Sequence, residues 1–210
     1  MTDWATVASI ATAGGTLVLA LATFASTHTA NRSTRVAEEA LLAGIRPLLL
    51  ASRPDDPAQK VMWIGEHFAH VAGERCIVEE ADGVIYLAAS LRNVGSGLAL
   101  LHGWYPVTET KPGSAIEPTE LDRFRRLSRD LYIAPNDFGF WQGAIRDADD
   151  PDRERLHAIV EEPRVFYVDI LYGDQEGRQR TITRISFTPI RDQWLCAAVL
   201  NWYPDRDDPR

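Results

Sequence analysis

The sequence lacks the short motifs that mark common enzyme classes, and it has little lysine or cysteine. It contains no Gly-x-Ser-x-Gly elbow, no phosphate-binding loop and no His-Glu-x-x-His pair, so none of these chemistries is predicted. Two lysines accompany twenty arginines, which indicates a GC-rich genome. Cys76 and Cys196 lack the spacing of a metal or redox motif, and we expect buried thiols in a reducing compartment.

Charge is missing altogether from residues 4–25. These twenty-two residues are uncharged. As a helix they would reach about 33 Å, enough to cross the hydrocarbon core of a bilayer. Alanine, threonine and a glycine pair dilute the strongly apolar residues of the stretch. We predict a transmembrane anchor over residues 1–26, with a helix buried in a soluble core as the alternative.

Basic residues are also missing before this stretch, but they follow it closely. Arg32, Arg35, Arg46 and Arg53 all lie on its C-terminal side. By the positive-inside rule, this asymmetry predicts a single-pass protein of the plasma membrane whose C-terminal domain is cytoplasmic. A cleaved signal peptide is the less favoured alternative, because such a peptide begins with positively charged residues.

Small residues recur at helical spacing within the predicted anchor. Ala5, Ser9 and Ala13 would share one face of the helix, and Ala11 and Gly15 form a second pair. Small residues four apart let two membrane helices approach closely. The pattern raises the hypothesis of a helix–helix contact and of a homo-oligomer formed through the transmembrane helix.

Residues 27–45 are predicted to continue as a helical juxtamembrane stalk. Arg35 would face Glu38 and Glu39 about one turn further on, which supports a helix with a charged surface. Gly44 can end this helix, and Pro47 forces the residue before it into an extended conformation. We expect the helix to end near residue 43.

The remaining chain is predicted to form one domain over residues 46–205 and a short charged tail over residues 206–210. After residue 44, 20 basic residues stand against 27 acidic ones, and the formal net charge of the whole chain is −8. A surface with this acidic excess repels nucleic acid and anionic lipid headgroups. No nucleic-acid partner is therefore expected.

Short apolar or alternating segments separated by turn residues predict that this domain is mainly β. The clearest pair, residues 75–79 and 84–92, flanks an Asp82-Gly83 turn typical of a hairpin. Further strands are predicted over residues 48–50, 61–71, 98–109, 130–133, 138–145, 165–172, 179–188 and 194–203. Short helices are predicted over residues 120–128 and 152–160. About eight or nine strands with little helix between them favour an antiparallel β-sandwich.

Four residues are candidates for a ligand or partner site. His102 lies in an apolar strand, and Asp169 interrupts another, where a buried carboxylate needs a partner. Asp147 and Asp149 belong to an acidic run that could bind calcium but lacks the glycine and glutamate of an EF-hand loop. For each of them a structural role is the favoured interpretation.

No metal or other cofactor is predicted. His67 and His70 are three residues apart in a predicted strand. At that spacing two side chains point to opposite faces of the strand, so they would not share a metal ion.

Several turn and core motifs resemble those of one group of proteins. After the arginine-bearing stalk come Arg-Pro-Leu at residues 46–48, Leu-Arg-Asn-Val-Gly-Ser-Gly at 91–97, Phe-Trp-Gln-Gly at 140–143 and Tyr-Gly-Asp at 172–174, with Gly177. In this order they resemble uncharacterised single-span membrane proteins of high-GC actinobacteria, over nearly the whole chain. The resemblance implies a membrane-tethered immunoglobulin-like sandwich. It implies no activity and gives no residue a role.

Two classes of function are compatible with these features. The favoured one is a non-catalytic interaction module, a scaffold or accessory protein tethered to the membrane that binds an unidentified cytoplasmic protein. The alternative is a small-ligand sensor or an enzyme whose site converges from separate strands. A pocket that joins a histidine to a carboxylate would favour the alternative, whereas a filled core with a flat exposed patch would favour the interaction module.

Overall fold

The N-terminal region forms one long helix. The computed structural model describes residues 3–108, 116–177 and 179–206. Helix α1, Trp4–Gly44, runs without interruption through 41 residues, so the predicted anchor and stalk are parts of a single helix. It ends at Gly44, the residue that was predicted to end it, shortly before the Arg46-Pro47 pair.

The membrane-spanning property predicted for this helix is not supported. Within residues 3–108, 116–177 and 179–206, no helix is both long enough and apolar enough to cross a membrane.

The chain divides into two compact units, residues 1–44 and residues 45–210. The second unit contains all of the strands described below. At its C-terminal end, the backbone N–H of Arg206 donates to the carbonyl oxygen of Tyr203 at 3.0 Å. Residues 207–210, most of the predicted tail, lie outside the described residues.

The second unit is mainly β, as predicted. Its described strands are β1 (Leu49–Ala51), β2 (Gln59–Met62), β3 (Phe68–Val71), β4 (Arg75–Ala81), β5 (Val84–Asn93), β6 (Ala99–Val107), β7 (Arg125–Ile133), β8 (Phe138–Ile145), β9 (Phe166–Gly173), β10 (Thr181–Ile190) and β11 (Gln193–Trp202). Helix α2, Arg153–Glu161, lies between β8 and β9, where a short helix was expected.

Nine of the strands form one antiparallel sheet. The order is β1-β5-β4-β11-β10-β9-β6-β7, and β8 also pairs with β5. The seam between β4 and β11 consists of only two register pairs, Cys76–Trp194 and Arg75–Leu195. It separates a first half-sheet (β1, β4, β5, β8) from a second half-sheet (β6, β7, β9, β10, β11). Because the strands form one continuous sheet, an immunoglobulin-like sandwich of two sheets is not confirmed.

The two half-sheets share one hydrophobic core. Alternate residues of a strand point to opposite faces, and the inward rows meet in a single cluster. The first half-sheet contributes Leu87 and Leu91, the second contributes Val168 and Phe187, and α2 adds Leu156. All five are fully or almost fully buried.

The two cysteines belong to this core. Cys76 on β4 and Cys196 on β11 are both buried and both free thiols, as expected. Burial raises the pKa of the Cys76 thiol, because the thiolate would lose its hydration. Both side chains therefore pack as small apolar groups next to the seam.

A separate two-stranded hairpin, β2–β3, covers the outer face of the first half-sheet. Val61, Trp63 and Val71 of the hairpin region pack against Tyr86 and Ala88 of β5. Because the neighbouring residues of β5 face the main core, β5 is buried on both faces.

The outer face of the second half-sheet is covered only in part. Phe124, at the end of the segment formed by residues 116–124, packs against Leu171, Ile182 and Trp202. These three residues lie in one row across β9, β10 and β11. The segment therefore covers the end of this face that is nearest to residues 171 and 182.

The predicted hairpin turn between β4 and β5 is confirmed. Asp82 has φ 50 and Gly83 has φ 72. Positive φ at both central residues is what a two-residue type I′ turn requires, and glycine and aspartate tolerate it better than most residues.

The predicted helix over residues 120–128 is wrong. A single turn of 3-10 helix, Leu121–Arg123, is followed directly by strand β7. Leu127 and Leu131 pack against the core, whereas the alternate residues Arg126, Ser128 and Asp130 are exposed. This alternation with a period of two is typical of a strand, and the many charged residues concealed it.

The single strand predicted over residues 61–71 is a hairpin instead. Strands β2 and β3 pair through Met62 and Phe68, and the chain reverses between them. Gly65 (φ 95) and Glu66 (φ 64) both adopt left-handed conformations in this reversal. The glycine was the available turn signal within an otherwise strand-like segment.

The two half-sheets approach each other closely at Gly143 on β8. A Cβ at this position would lie 2.8 Å from the Trp104 ring on β6 and 2.9 Å from the Trp141 ring. The carbonyl oxygen of Gly143 accepts a hydrogen bond from Nε1 of Trp63 at 2.9 Å. Three indoles therefore converge on one residue, and only glycine leaves room for them.

We predict that Gly143→Ala destabilises the β domain by about 1–3 kcal/mol, because the added methyl group meets rings that are held in the core. Thermal unfolding followed by circular dichroism would measure the effect. Gly44→Ala is the matched control, since a Cβ there meets no atom within 4 Å. Equal stability of the Gly143→Ala variant and the wild type would contradict the prediction.

Candidate functional site

Asp169 on β9 forms a buried ion pair with Arg184 on β10. Nε of Arg184 donates to Oδ1 at 2.7 Å, and Nη2 donates to Oδ2 at 2.7 Å. Thr119 donates to Oδ2 through its hydroxyl group at 2.7 Å and its backbone N–H at 3.2 Å. Asp169 is fully buried and Arg184 is 6% exposed. The chain itself thus supplies the partner that a buried carboxylate needs.

This ion pair attaches residues 116–124 to the second half-sheet. Nη2 of Arg184 also donates to the carbonyl oxygen of Glu117 at 3.1 Å. The guanidinium lies over the ring of Trp202, 5.0 Å from its centroid. Asp169 therefore has a structural role in holding the covering segment.

His102 lies at an irregularity of β6 and does not meet Asp169. Tyr105 is the β6 residue opposite Asp169 in the register. His102 is half-buried, and burial, followed by the positive charge of Arg180, lowers its pKa. A Cβ on Gly173 would lie 2.8 Å from Nε2 of the ring, so this glycine leaves space for the histidine.

Asp147 and Asp149 lie in an exposed turn before α2. Oδ1 of Asp147 accepts the backbone N–H of Asp149 at 3.0 Å. The next two acids of the run, Asp150 and Asp152, both pair with Arg125 of β7. Burial acts to raise the pKa of Asp150, but the hydrogen bonds and charge of Arg125 outweigh it, so the pKa is lowered. The acidic run thus shapes a turn and attaches it to β7.

Metal-ligand groups are not assembled in the part of the chain that the structure describes. No three residues among its histidines, cysteines, aspartates and glutamates are placed to hold one metal ion. His70 lies on β3, whereas His67 precedes that strand.

Two histidines contact carboxylates at the surface of the domain. Nε2 of His67 lies 2.8 Å from Oε1 of Glu79. Nδ1 of His157 lies 2.6 Å from Oε2 of Glu80, whose Oε1 accepts from Nη2 of Arg153 at 3.0 Å. Since both oxygens of Glu80 are engaged by α2, this contact attaches α2 to β4.

The predicted helix–helix contact residues all lie on α1. Ala13 and Gly15 are exposed. The side chains of Ala5, Ser9 and Ala11 lie outside the described residues. The helix–helix contact therefore stays a prediction.

Two neighbouring rows without a charged residue lie on the outer side of the second half-sheet. In the first row, residues lie directly opposite each other across β6, β9, β10 and β11: Val107, Tyr167, Ser186 and Ala197. Thr188 and Leu195 form the next row on β10 and β11. These six residues are called the uncharged face below.

The uncharged face has access to solvent. Ala197 is exposed, and Tyr167 and Leu195 are half-buried. At its border Ile190 is 45% exposed and Val199 is 47% exposed. A largely uncharged surface with a tyrosine near its centre can contact another macromolecule over several strands.

Sequence reasoning missed this face, although a signal for it was present. Strands β9 and β11 are apolar on both faces, and an apolar outer face is either covered by the chain or available for binding. Which of the two applies at each position depends on the path of residues 116–124. That path is held by the contact between Thr119 and Asp169, which are distant in sequence.

We predict that Asp169→Ala destabilises the β domain by about 3–5 kcal/mol, because it leaves the charge of Arg184 buried without a partner. The double variant Asp169→Leu, Arg184→Leu removes both charges, so it should destabilise the β domain less than Asp169→Ala alone. Urea unfolding followed by tryptophan fluorescence would measure both, with Asp149→Ala as an exposed control. A double variant that is destabilised as much as Asp169→Ala, or more, would contradict the prediction.

Comparison with known proteins identified no relative of this chain. The chain matches no family model, no curated protein and no solved structure. Its resemblance to actinobacterial single-span proteins stays a prediction. The function is therefore argued from the described surfaces and contacts.

Proposed function

We propose that this chain is a non-catalytic protein-interaction module whose β domain binds a protein partner through the uncharged face. The observation that carries the proposal is the pair of uncharged rows, the first across four strands and the second across two. The next residue of the second row, Arg75 on β4, is charged, so the uncharged face ends there. Charged side chains are depleted at the centres of protein interfaces, where they would have to lose their hydration.

Tyr167 is the proposed anchor of the interface. It lies between Val107 and Ser186 in the first row, and Ala197 follows beyond Ser186. Because the residues on one side of the ring are small, an apolar side chain of the partner can pack against it. Arg75 borders the face beside Leu195 and supplies a charged rim. The expected partner surface is apolar at its centre and acidic at the corresponding edge.

The proposal predicts that a photo-reactive amino acid at position 197 captures a specific protein in cells. The full chain would carry the probe, and the adduct would be identified by mass spectrometry. Thr188→Arg should reduce the adduct at least about tenfold, because it places a charge within the interface. Its unfolding temperature should change little, since Thr188 lies at the surface.

A probe at Glu154, which is exposed on α2, provides the matched control. An adduct between two copies of this chain would identify the partner as the chain itself and would still place it on the uncharged face. The same adducts from positions 154 and 197, or an adduct that Thr188→Arg leaves unchanged, would overturn the proposal.

We also propose that the chain resides at the plasma membrane with its β domain in the cytoplasm. Support comes from the arginine asymmetry around residues 4–25. The prediction is that a C-terminal tag sediments with membranes and stays protected from protease in intact spheroplasts. Recovery of the tag in the soluble fraction would contradict the anchor, and digestion of the tag would reverse the orientation.

A further inference from the structure

A cleft lies between strands β7 and β8 of the main sheet. Strand β7 pairs with β6, and β8 pairs with β5. β7 and β8 are consecutive in the chain, and no ladder joins them within the described residues. A cleft of about 220 Å³ opens between them. We call it the tryptophan cleft, and it is lined in part by Trp63, Trp104, Arg126, Gln142 and Arg146.

The walls of the tryptophan cleft are aromatic and rigid. Trp63 is 4% exposed and Trp104 is 3% exposed, so only the edges of their indole rings reach the cleft. Nε1 of Trp63 is held by the carbonyl oxygen of Gly143, and the Trp104 ring lies against the same residue. A preformed aromatic wall binds a flat ring with little loss of side-chain entropy.

Gln142 supplies an oriented hydrogen-bond donor. The side chain is 5% exposed, and its Oε1 accepts from Nη2 of Arg129 at 2.9 Å. Because a guanidinium can only donate, the Gln142 atom that faces Arg129 must be the amide oxygen. The other terminal atom of the Gln142 side chain is therefore the amide nitrogen. Among the described residues, this nitrogen donates to no protein atom. Since Gln142 lines the cleft, the amide N–H groups are available to a ligand there.

Within the described residues, no carboxylate forms an ion pair with the arginines around the cleft. Arg126 and Arg146 are exposed, and Nη2 of Arg146 donates to the carbonyl oxygen of Ile64 at 2.8 Å. The ion pairs found in the described residues include neither of them, nor Arg129. This is notable in a chain with 30 acidic and 22 basic residues. Such a group of donors attracts an anion.

We propose that the tryptophan cleft binds a small aromatic carboxylate. The ring packs against the edges of Trp63 and Trp104. The carboxylate accepts from the amide of Gln142 and from Arg126 or Arg146, whose guanidinium groups match its planar geometry. The volume, equivalent to about seven water molecules at about 30 Å³ each, suits one ring with one carboxylate. The residues come from β6, β7, β8 and the β2–β3 turn, so this site converges from separate strands.

The test is a calorimetric titration of sodium benzoate into the full chain. We expect a dissociation constant of about 1 mM or tighter. Benzamide, which has the same shape without the charge, should bind at least about tenfold more weakly, because it is neutral and forms no ion pair with an arginine. Acetate tests the ring contribution and should also bind at least about tenfold more weakly.

Matched arginine variants locate the site. At least one of Arg126→Gln and Arg146→Gln should weaken benzoate binding about tenfold, since it removes the charged donor of the carboxylate, and no effect in either variant would overturn the proposal. Arg164→Gln removes an exposed arginine that does not line the cleft and should change the affinity less than about twofold. Absence of benzoate binding, equal binding of benzamide, or an equal loss in Arg164→Gln would overturn the proposal. None of these outcomes bears on the uncharged face, because the two sites share no residue.

Discussion

The close approach of the two half-sheets at Gly143 is the constraint on which the rest of the domain depends. Because this residue has no side chain, the Trp104 ring of one half-sheet can lie directly against the backbone of the other. The same residue accepts the hydrogen bond from Trp63 and thereby holds the β2–β3 hairpin region in place. The packing also brings β7 and β8 side by side without pairing them, and the tryptophan cleft lies in the space between them.

Two chain segments cover parts of the outer faces of the half-sheets and so determine which surfaces stay open. The hairpin covers the first half-sheet, and residues 116–124 cover one end of the second. The buried pair of Asp169 and Arg184 holds that segment and so determines where the uncharged face begins. The ion pair therefore leaves one part of the apolar outer surface open and keeps the part beside it covered.

Local signals predicted much of the fold. The Asp82-Gly83 turn, the helix after the acidic run and the strands β8 and β9 follow from turn chemistry, a helix-starting proline and apolar runs. The strand predicted over residues 130–133 is the second half of β7, but its first half was predicted as a helix because its charged residues resemble those of an exposed helix. Only the core contacts of Leu127 and Leu131 reveal the period of two. The uncharged face and the tryptophan cleft could not be predicted, since their residues come from strands that are far apart in the chain.

By itself the sequence determined where most helices and strands lie, that Asp169 needs a buried partner, and that the domain is acidic. These properties depend on periodicity, turn residues and composition, which act over a few residues or over the chain as a whole. Only the tertiary structure decided that Arg184 is that partner and that three tryptophan rings lie around Gly143. It also decided that Val107, Tyr167 and Ala197 share one open face. Strand order and register create these contacts, because they place residues from distant parts of the chain opposite each other.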